Sequence, residues 1–148
     1  MKKRIVASIL AAAFTLGTSV CIDALAHGSE VHQPAASEFG YGPRASAKHT
    51  YSVTLMPMPE LRLRQLQTVR VRVADENGNP IEGARISVDG GMPQHGHGLP
   101  TQPRVTQSMG GGIYEIEGVR FSMGGWWELK LAIDSAAGAD NVTFNLSL

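Results

Sequence analysis

Hydrophobic and polar residues alternate along most of the chain from residue 50 to residue 148. Residues that alternate in this way point to opposite faces of a sheet, so each run predicts a half-buried β-strand. No apolar period of helical type follows residue 26. The pattern predicts an all-β fold, an immunoglobulin-like β-sandwich of about seven strands. Its expected core includes Val71, Ile86, Tyr114, Trp127, Leu129 and Phe144.

Two local features refine this prediction. Gly118 interrupts the alternation, and a β-bulge at this position would turn Val119 and Phe121 toward the core. The adjacent tryptophans must face opposite sides of their strand. Trp127 has the core phase, whereas Trp126 is predicted to make a surface or loop contact.

The N-terminal residues have the features of a secretory signal. Basic residues 2–4 precede an apolar run over 5–20, and Ala24 and Ala26 occupy the two positions that a signal peptidase recognises. The run is 16 residues long, and a membrane-spanning helix needs roughly 20. We therefore expect a cleaved signal peptide at 1–26 and a periplasmic protein with no stable membrane span. Retention of the signal as an anchor is the alternative.

The mature chain would begin with a leader and continue with one domain. Residues 27–49 carry no sustained apolar period, which predicts a flexible leader, and 50–148 form the predicted domain. Thirteen basic residues balance thirteen acidic ones, so no basic excess indicates nucleic-acid binding. The only cysteine, Cys21, lies within the signal, which leaves the mature chain without disulfides or thiolate ligands.

Candidate chemistry is concentrated in residues 90–100, a Gly- and Pro-rich segment that the sheet pattern does not explain. It contains Met92, His95 and His97. Thioether sulfur favours Cu(I) and imidazole accepts both oxidation states of copper, so this set indicates copper more than zinc. The alternative is a solvated histidine pair with Met92 packed beneath it.

Further candidate ligands lie elsewhere in the chain. Met56, Met58 and Met123 fall at predicted strand ends, where a sandwich gathers its loops, although methionines also fill cores. After cleavage, His27 would offer its amino group and its ring nitrogen to one copper ion. No Ser/His/Asp order, paired carboxylates or His-Glu-x-x-His motif is present, so we expect a protein without enzymatic activity.

Three motifs together resemble a known family. They are Met92-Pro93-x-His95-Gly96-His97-Gly98, then Gly112-Ile113-Tyr114, then Gly118-Val119-x-Phe121-x-Met123-x-Gly125-x-Trp127-Glu128-Leu129. In this order they resemble the YtkA-like domain, which is related to the FixH-like proteins of bacterial envelopes. The resemblance implies a periplasmic immunoglobulin-like sandwich associated with copper handling or with the assembly of copper-containing respiratory oxidases. FixH-like members usually keep an N-terminal membrane helix, whereas this chain has a cleavable-looking signal.

These observations lead to three functional hypotheses. The first is a periplasmic, non-enzymatic copper carrier or buffer, whose partner would be an envelope protein or a respiratory oxidase assembly partner. The second is a metal-free interaction or assembly module of the cell envelope that uses the 90–100 loop as its contact surface. The third is a copper-dependent redox enzyme built around His27.

Overall fold

Antiparallel β-strands make up most of the regular structure in the computed structural model, which describes residues 31–57 and 60–148. The strands are β1 Arg44–Ala45, β2 Ser52–Pro57, β3 Gln67–Ala74, β4 Arg85–Met92, β5 His97–Gly98, β6 Arg104–Gly110, β7 Ile113–Val119, β8 Trp126–Ser135 and β9 Gly138–Ser147. Within the described residues there is no α-helix, only two 3-10 turns at Ala36–Glu38 and Pro93–His95. The all-β prediction is confirmed. Seven of the nine strands are longer than two residues, the exceptions being β1 and β5.

Some predicted features lie outside the described residues. These are the signal peptide at 1–26, the candidate ligand His27 and the candidate ligand Met58. In the described part of the chain, no helix has the length and apolar character needed to cross a membrane.

The strands form one sheet that nearly closes on itself. Its order is β1-β2-β3-β7-β6-β4-β8-β9, with β5 added to β4. A single residue pair, Ser87 with Arg104, joins β4 to β6. At the other junction the Ala47 N–H donates to the Asn141 carbonyl at 2.8 Å, which brings the region of β1 close to β9. The result is a barrel-like sheet with nine strands. This closure was not predicted, because alternation shows which faces turn inward but not whether two sheet edges bond to each other.

The inward faces of the strands enclose one hydrophobic core. Trp127 lies at its centre with no exposed surface, and its ring meets the Phe121 ring edge-on at a centroid distance of 5.3 Å. Val71, Tyr114, Leu129 and Phe144 are also buried, as predicted. Ile86 differs in being only partly buried against the core.

The predicted bulge at Gly118 is present. Gln67 of β3 pairs with Val119, whereas Val69 pairs with Ile116, so β7 contains one more residue than β3 over this stretch. Gly118 has a φ of 83°, which a glycine adopts without steric cost. Val119 and the following Phe121 are consequently both fully buried.

Of the two expected positions of Trp126, a surface contact or a loop contact, the surface contact is wrong. It is 6% exposed, and its indole N–H donates to Asn145 Oδ1 at 3.0 Å. The N-terminal segment covers this region, because the Gly40 N–H donates to the Asn145 carbonyl and Asn145 Nδ2 donates to the Glu38 carbonyl. Asn145 of β9 is therefore bonded both to Trp126 and to this segment.

The sheet also reaches into the segment predicted as a flexible leader. Arg44 and Ala45 pair with Val53 and Ser52 of β2. A strand of two residues is too short to produce a periodic pattern. The alternation therefore gives no sign of strand structure before residue 50.

A buried carboxylate ties the end of this segment to β9. Asp140 accepts a hydrogen bond from Ser46 Oγ at 2.6 Å and others from the Lys48 and Thr50 N–H groups at 3.0 and 3.2 Å. Burial raises the pKa of Asp140, but the hydrogen bonds from Ser46, Asn141, Lys48 and Thr50 lower it by more. The net pKa lies well below the usual range of an aspartate, so the group is ionised in the folded protein.

Candidate metal site

Most candidate ligands that the structure describes lie at one end of the barrel, which we call the histidine end. It is formed by residues 60–66 between β2 and β3, residues 93–103 between β4 and β6, and residues 120–125 between β7 and β8. The register brings these connections together, because Gln67 at the start of β3 pairs with Val119 at the end of β7. On the other side of the barrel, Gly91 pairs with Glu128 near the start of β8.

A tight hairpin joins β4 to β5, and we call its residues 93–98 the histidine loop. Pro93 begins a 3-10 turn, Gly96 ends it with a left-handed φ of 66°, and the Gly96 N–H donates to the Met92 carbonyl at 3.0 Å. Proline fits the first turn because its φ is already fixed, and glycine fits the last position because it has no Cβ to clash. Met92 then pairs with His97, so β5 folds back along β4.

Close backbone packing at Gly91 holds this hairpin against the sheet. A Cβ atom at Gly91 would lie 2.6 Å from the His97 carbonyl oxygen and 3.0 Å from Gly98 Cα. The Leu99 N–H donates to the Gly90 carbonyl at 2.9 Å immediately after β5. The absence of a side chain at Gly91 is therefore what allows the histidine loop to approach β4.

The two imidazoles of the loop lie side by side in solvent. The ring centroids of His95 and His97 are 5.6 Å apart with an interplanar angle of 27°, and both residues are exposed. The structure thus brings these two predicted ligands together. The hairpin places His95 in the turn after β4 and His97 on β5 beside Met92, and both side chains lie outside the core.

Met92 is oriented differently from the two histidines. Its backbone pairs with that of His97, yet its side chain is 1% exposed and belongs to the core. A Cβ at Gly125 would lie 2.8 Å from the Met92 methyl carbon, which shows that the thioether packs against the backbone of the β7–β8 loop.

Met123 and Met56 also lie at the histidine end, on other connections. Met123 is 38% exposed, and its carbonyl accepts a hydrogen bond from Trp127 Nε1 at 2.9 Å. Met56 is half-buried near the end of β2, where it pairs with Arg70. Strands β3, β7 and β6 separate β2 from β4 in the sheet order. The two methionines thus share an end of the barrel with the histidines but not a loop.

A shallow cavity of about 220 Å³ borders the histidine loop. Its lining includes His97, the outward-facing carboxyl groups of Asp89 and Glu128, and Lys130. Lys130 Nζ forms an ion pair with Glu128 at 2.8 Å. Neither carboxylate was among the predicted ligands, although each lies on the outward phase of its strand. Among the residues described, no three His, Cys, Asp or Glu side chains are grouped so as to hold a metal ion.

The N-terminal segment borders the histidine loop as well. Gln94 Nε2 donates to Gln33 Oε1 at 3.3 Å. The exposed His32 precedes Gln33, so a third imidazole lies on a segment that contacts the loop. His32 was not among the predicted ligands, because a long-range contact between two glutamines produces no periodic signal in the sequence.

Comparison with known proteins identifies the family but adds no function. One solved structure, titled "ZirS C-terminal Domain", has 15% sequence identity, a TM-score of 0.40 and coverage of 94% of this chain and 97% of that chain. A likeness at this level carries no argument about function. No curated protein matches the sequence. The family model described as YtkA-like matches residues 46–132, which is more than half of the chain and includes the histidine loop. The likeness to FixH-like proteins stays a prediction. The chain belongs to the YtkA-like family.

Proposed function

We propose that this protein is a periplasmic, non-enzymatic copper-binding protein that carries or buffers the ion, with His95 and His97 as its nitrogen ligands. The observation that carries the proposal is the pair of exposed imidazoles, 5.6 Å apart, on a hairpin held by backbone hydrogen bonds. Imidazole is the commonest metal ligand in proteins and accepts copper in either oxidation state.

The spacing of the two rings is suited to chelation. Metal–nitrogen bonds to imidazole are about 2 Å long, so nitrogens that share one ion lie within about 4 Å of each other. Because both side chains are exposed, rotation about their side-chain bonds brings two nitrogens into this range without moving the backbone. The Gly91–Gly98 and Met92–His97 pairs hold that backbone in place. The entropy lost on binding is therefore mainly that of two side chains.

Thioether donors at the same end favour copper as the ion. Met123 is exposed on the β7–β8 loop and Met56 is half-buried near the end of β2. A thioether is a soft ligand that suits Cu(I). Met92 packs in the core, so its contribution as a ligand requires that its side chain leave the contact with Gly125. We therefore rank Met123 ahead of Met92 as the sulfur ligand.

Copper titration of the mature, tag-free protein tests the proposal. Cu(I) and Cu(II) are added in competition with chromogenic chelators, and the wild type is compared with His95→Ala/His97→Ala. The control is His49→Ala, because His49 is exposed and its N–H bonds to Ser46 in the segment held by Asp140, away from the histidine loop. We expect the double variant to lose at least tenfold in affinity and the control to bind as the wild type does. Equal binding by all three proteins would refute the assignment.

Met123→Leu separates the sulfur ligand from the nitrogen ligands. Leucine has a similar volume and lacks the thioether, so the fold is preserved. We expect this variant to weaken Cu(I) binding more than Cu(II) binding, since imidazole accepts both states. Unchanged Cu(I) affinity would remove Met123 from the site.

We also propose that the barrel-like sheet is a modified immunoglobulin-like sandwich. Strands β1, β2, β3, β7 and β6 would form one layer, and β5, β4, β8 and β9 the other, since only the Ser87–Arg104 pair connects β4 to β6. An experimental structure tests this arrangement, because sandwich layers pack about 10 Å apart.

A further inference from the structure

An alternating basic and apolar segment at the histidine end has no role in the proposed copper site. Residues 61–66 are Leu-Arg-Leu-Arg-Gln-Leu. Leu61 packs against the core, whereas Leu63 is 39% exposed and Leu66 is 69% exposed. Leu66 is the most exposed of the large hydrophobic residues described. Two leucines of one loop are thus directed away from an otherwise well-filled interior.

Hydrogen bonds to β3 and to the β7–β8 connection fix the conformation of this loop. Gln67 Oε1 accepts from the Arg62 N–H and Gln67 Nε2 donates to the Arg62 carbonyl, both at 2.9 Å. The Arg64 N–H donates to the Phe121 carbonyl at 2.7 Å, and Arg64 has a left-handed φ of 63°. A non-glycine residue keeps such a φ only where its surroundings enforce it. The exposure of the leucines therefore belongs to a defined loop conformation.

Met123 extends the apolar surface onto the neighbouring loop. Leu63 forms a bridge with Phe121, and its Cδ1 atom lies 3.9 Å from the position of a Cβ on Gly124. Met123, the residue before Gly124, is 38% exposed. We call Leu63, Leu66 and Met123 together the leucine tip.

Arginines surround the leucine tip. Arg62 and Arg64 flank Leu63, Arg120 precedes Phe121, and all three are exposed. Within the described residues, the salt bridges involve other side chains, so these three guanidinium groups are available to an external anion. Exposed apolar side chains next to arginines match a membrane interface, where leucine enters the acyl boundary and guanidinium binds lipid phosphate.

We propose that the leucine tip docks this protein on the surface of an anionic lipid bilayer. The leucines and arginines of this surface are not ligands in the proposed copper site. Met123 is common to both proposals, and the variants that test docking leave it unchanged. Three apolar side chains inserted into the bilayer surface, together with three arginines, give a weak and reversible attachment rather than a permanent anchor. Each arginine near an anionic surface contributes about fivefold to the partition coefficient, and salt reduces this contribution.

Flotation with lipid vesicles tests the proposal on the mature, tag-free protein. The vesicles contain phosphatidylglycerol mixed with phosphatidylethanolamine, or phosphatidylcholine alone, at about 0.1 M and about 1 M salt, where the Debye length is about 10 Å and about 3 Å. We expect the wild type to float with the anionic vesicles at the lower salt concentration and to stay in the aqueous fraction with the neutral ones. Absence from the anionic vesicles at both salt concentrations would overturn the proposal and leave a protein partner as the occupant of the tip.

Matched variants locate the binding surface. Leu63→Ser/Leu66→Ser and Arg62→Gln/Arg64→Gln should each reduce partitioning at least tenfold. The control is Met109→Ser, because Met109 is 43% exposed on β6, outside the leucine tip. Thermal melting verifies that each variant folds, and the arginine variant removes no buried group. A Met109→Ser variant that loses as much binding as the leucine variant would contradict the assignment to the tip.

Discussion

Gly91 and Gly98 are paired across β4 and β5, and the same substitution should have opposite effects at the two positions. Neither has a positive φ, so alanine is compatible with both backbones. A Cβ at Gly91 would lie 2.6 Å from the His97 carbonyl oxygen, whereas a Cβ at Gly98 would lie 3.4 Å from the Gly90 carbonyl oxygen. The first distance forces backbone to move, and the second is an ordinary van der Waals contact.

The expected free energies of unfolding follow from these distances. Overpacking against backbone costs about 1–3 kcal/mol, so Gly91→Ala should be destabilised by about that amount. Gly98→Ala should gain about 0.4–1 kcal/mol, because alanine restricts the unfolded chain more than glycine does. The two variants should therefore differ by about 1.4–4 kcal/mol in unfolding free energy.

Urea denaturation measures this difference, and copper titration measures its consequence for the site. Gly91→Ala should also weaken copper binding, since the hairpin that carries both imidazoles must shift while both ligands remain. Gly98→Ala should bind copper as the wild type does. Two variants whose stabilities agree within about 0.5 kcal/mol, the usual range for surface substitutions, would refute the reasoning that Gly91 sets the position of the hairpin.

Three further predictions follow from the structure. Trp127→Ala should destabilise the protein by about 3–5 kcal/mol, because a large aromatic side chain leaves a fully buried site; a denaturation midpoint equal to that of the wild type would contradict this. Asp140 has a lowered pKa when folded, so its stabilising contribution is present above the ordinary aspartate value of about 3.9 and is lost as the pH falls further. Asp140→Asn should be less stable at neutral pH and should lack this part of the acid dependence in thermal melts; parallel pH profiles would argue against it. Copper affinity should fall as the solution is made more acidic, because protons compete with the metal for the imidazole nitrogens. Affinity that does not change with pH in the titration would assign binding to thioethers instead of His95 and His97.

Long strands with one buried face were predictable from the sequence. In β8 the residues from Trp127 to Ile133 alternate without interruption, and Leu129 and Leu131 are buried as this phase requires. The bulge at Gly118 was predictable for the same reason, because it changes the phase of a pattern that is otherwise regular. An alternation with a period of two shows which side chains of a strand turn inward, because one face of each of these strands is buried.

Features that depend on single contacts were not predictable. The two-residue strands β1 and β5 are too short to show a period, and the carboxylate of Asp140 meets Ser46 Oγ across 94 positions of sequence. The closeness of His95 and His97 was predictable, since one residue separates them. The orientation of Met92 was also present in the pattern: it has the same phase as Ile86 and Val88, and that phase faces the core.

The hydrogen bonds around Asp140 determine where the N-terminal boundary of a recombinant domain can be placed. A recombinant domain that began at residue 50, where alternation begins, would keep the carboxylate but lose the donors Ser46 Oγ and the Lys48 N–H. It would also lack the β1 residues that pair with β2. A fragment that is to be fused to another protein, or exchanged between relatives as a unit, should therefore start no later than Arg44. A boundary drawn from hydropathy alone would remove hydrogen-bond donors that stabilise a buried charge.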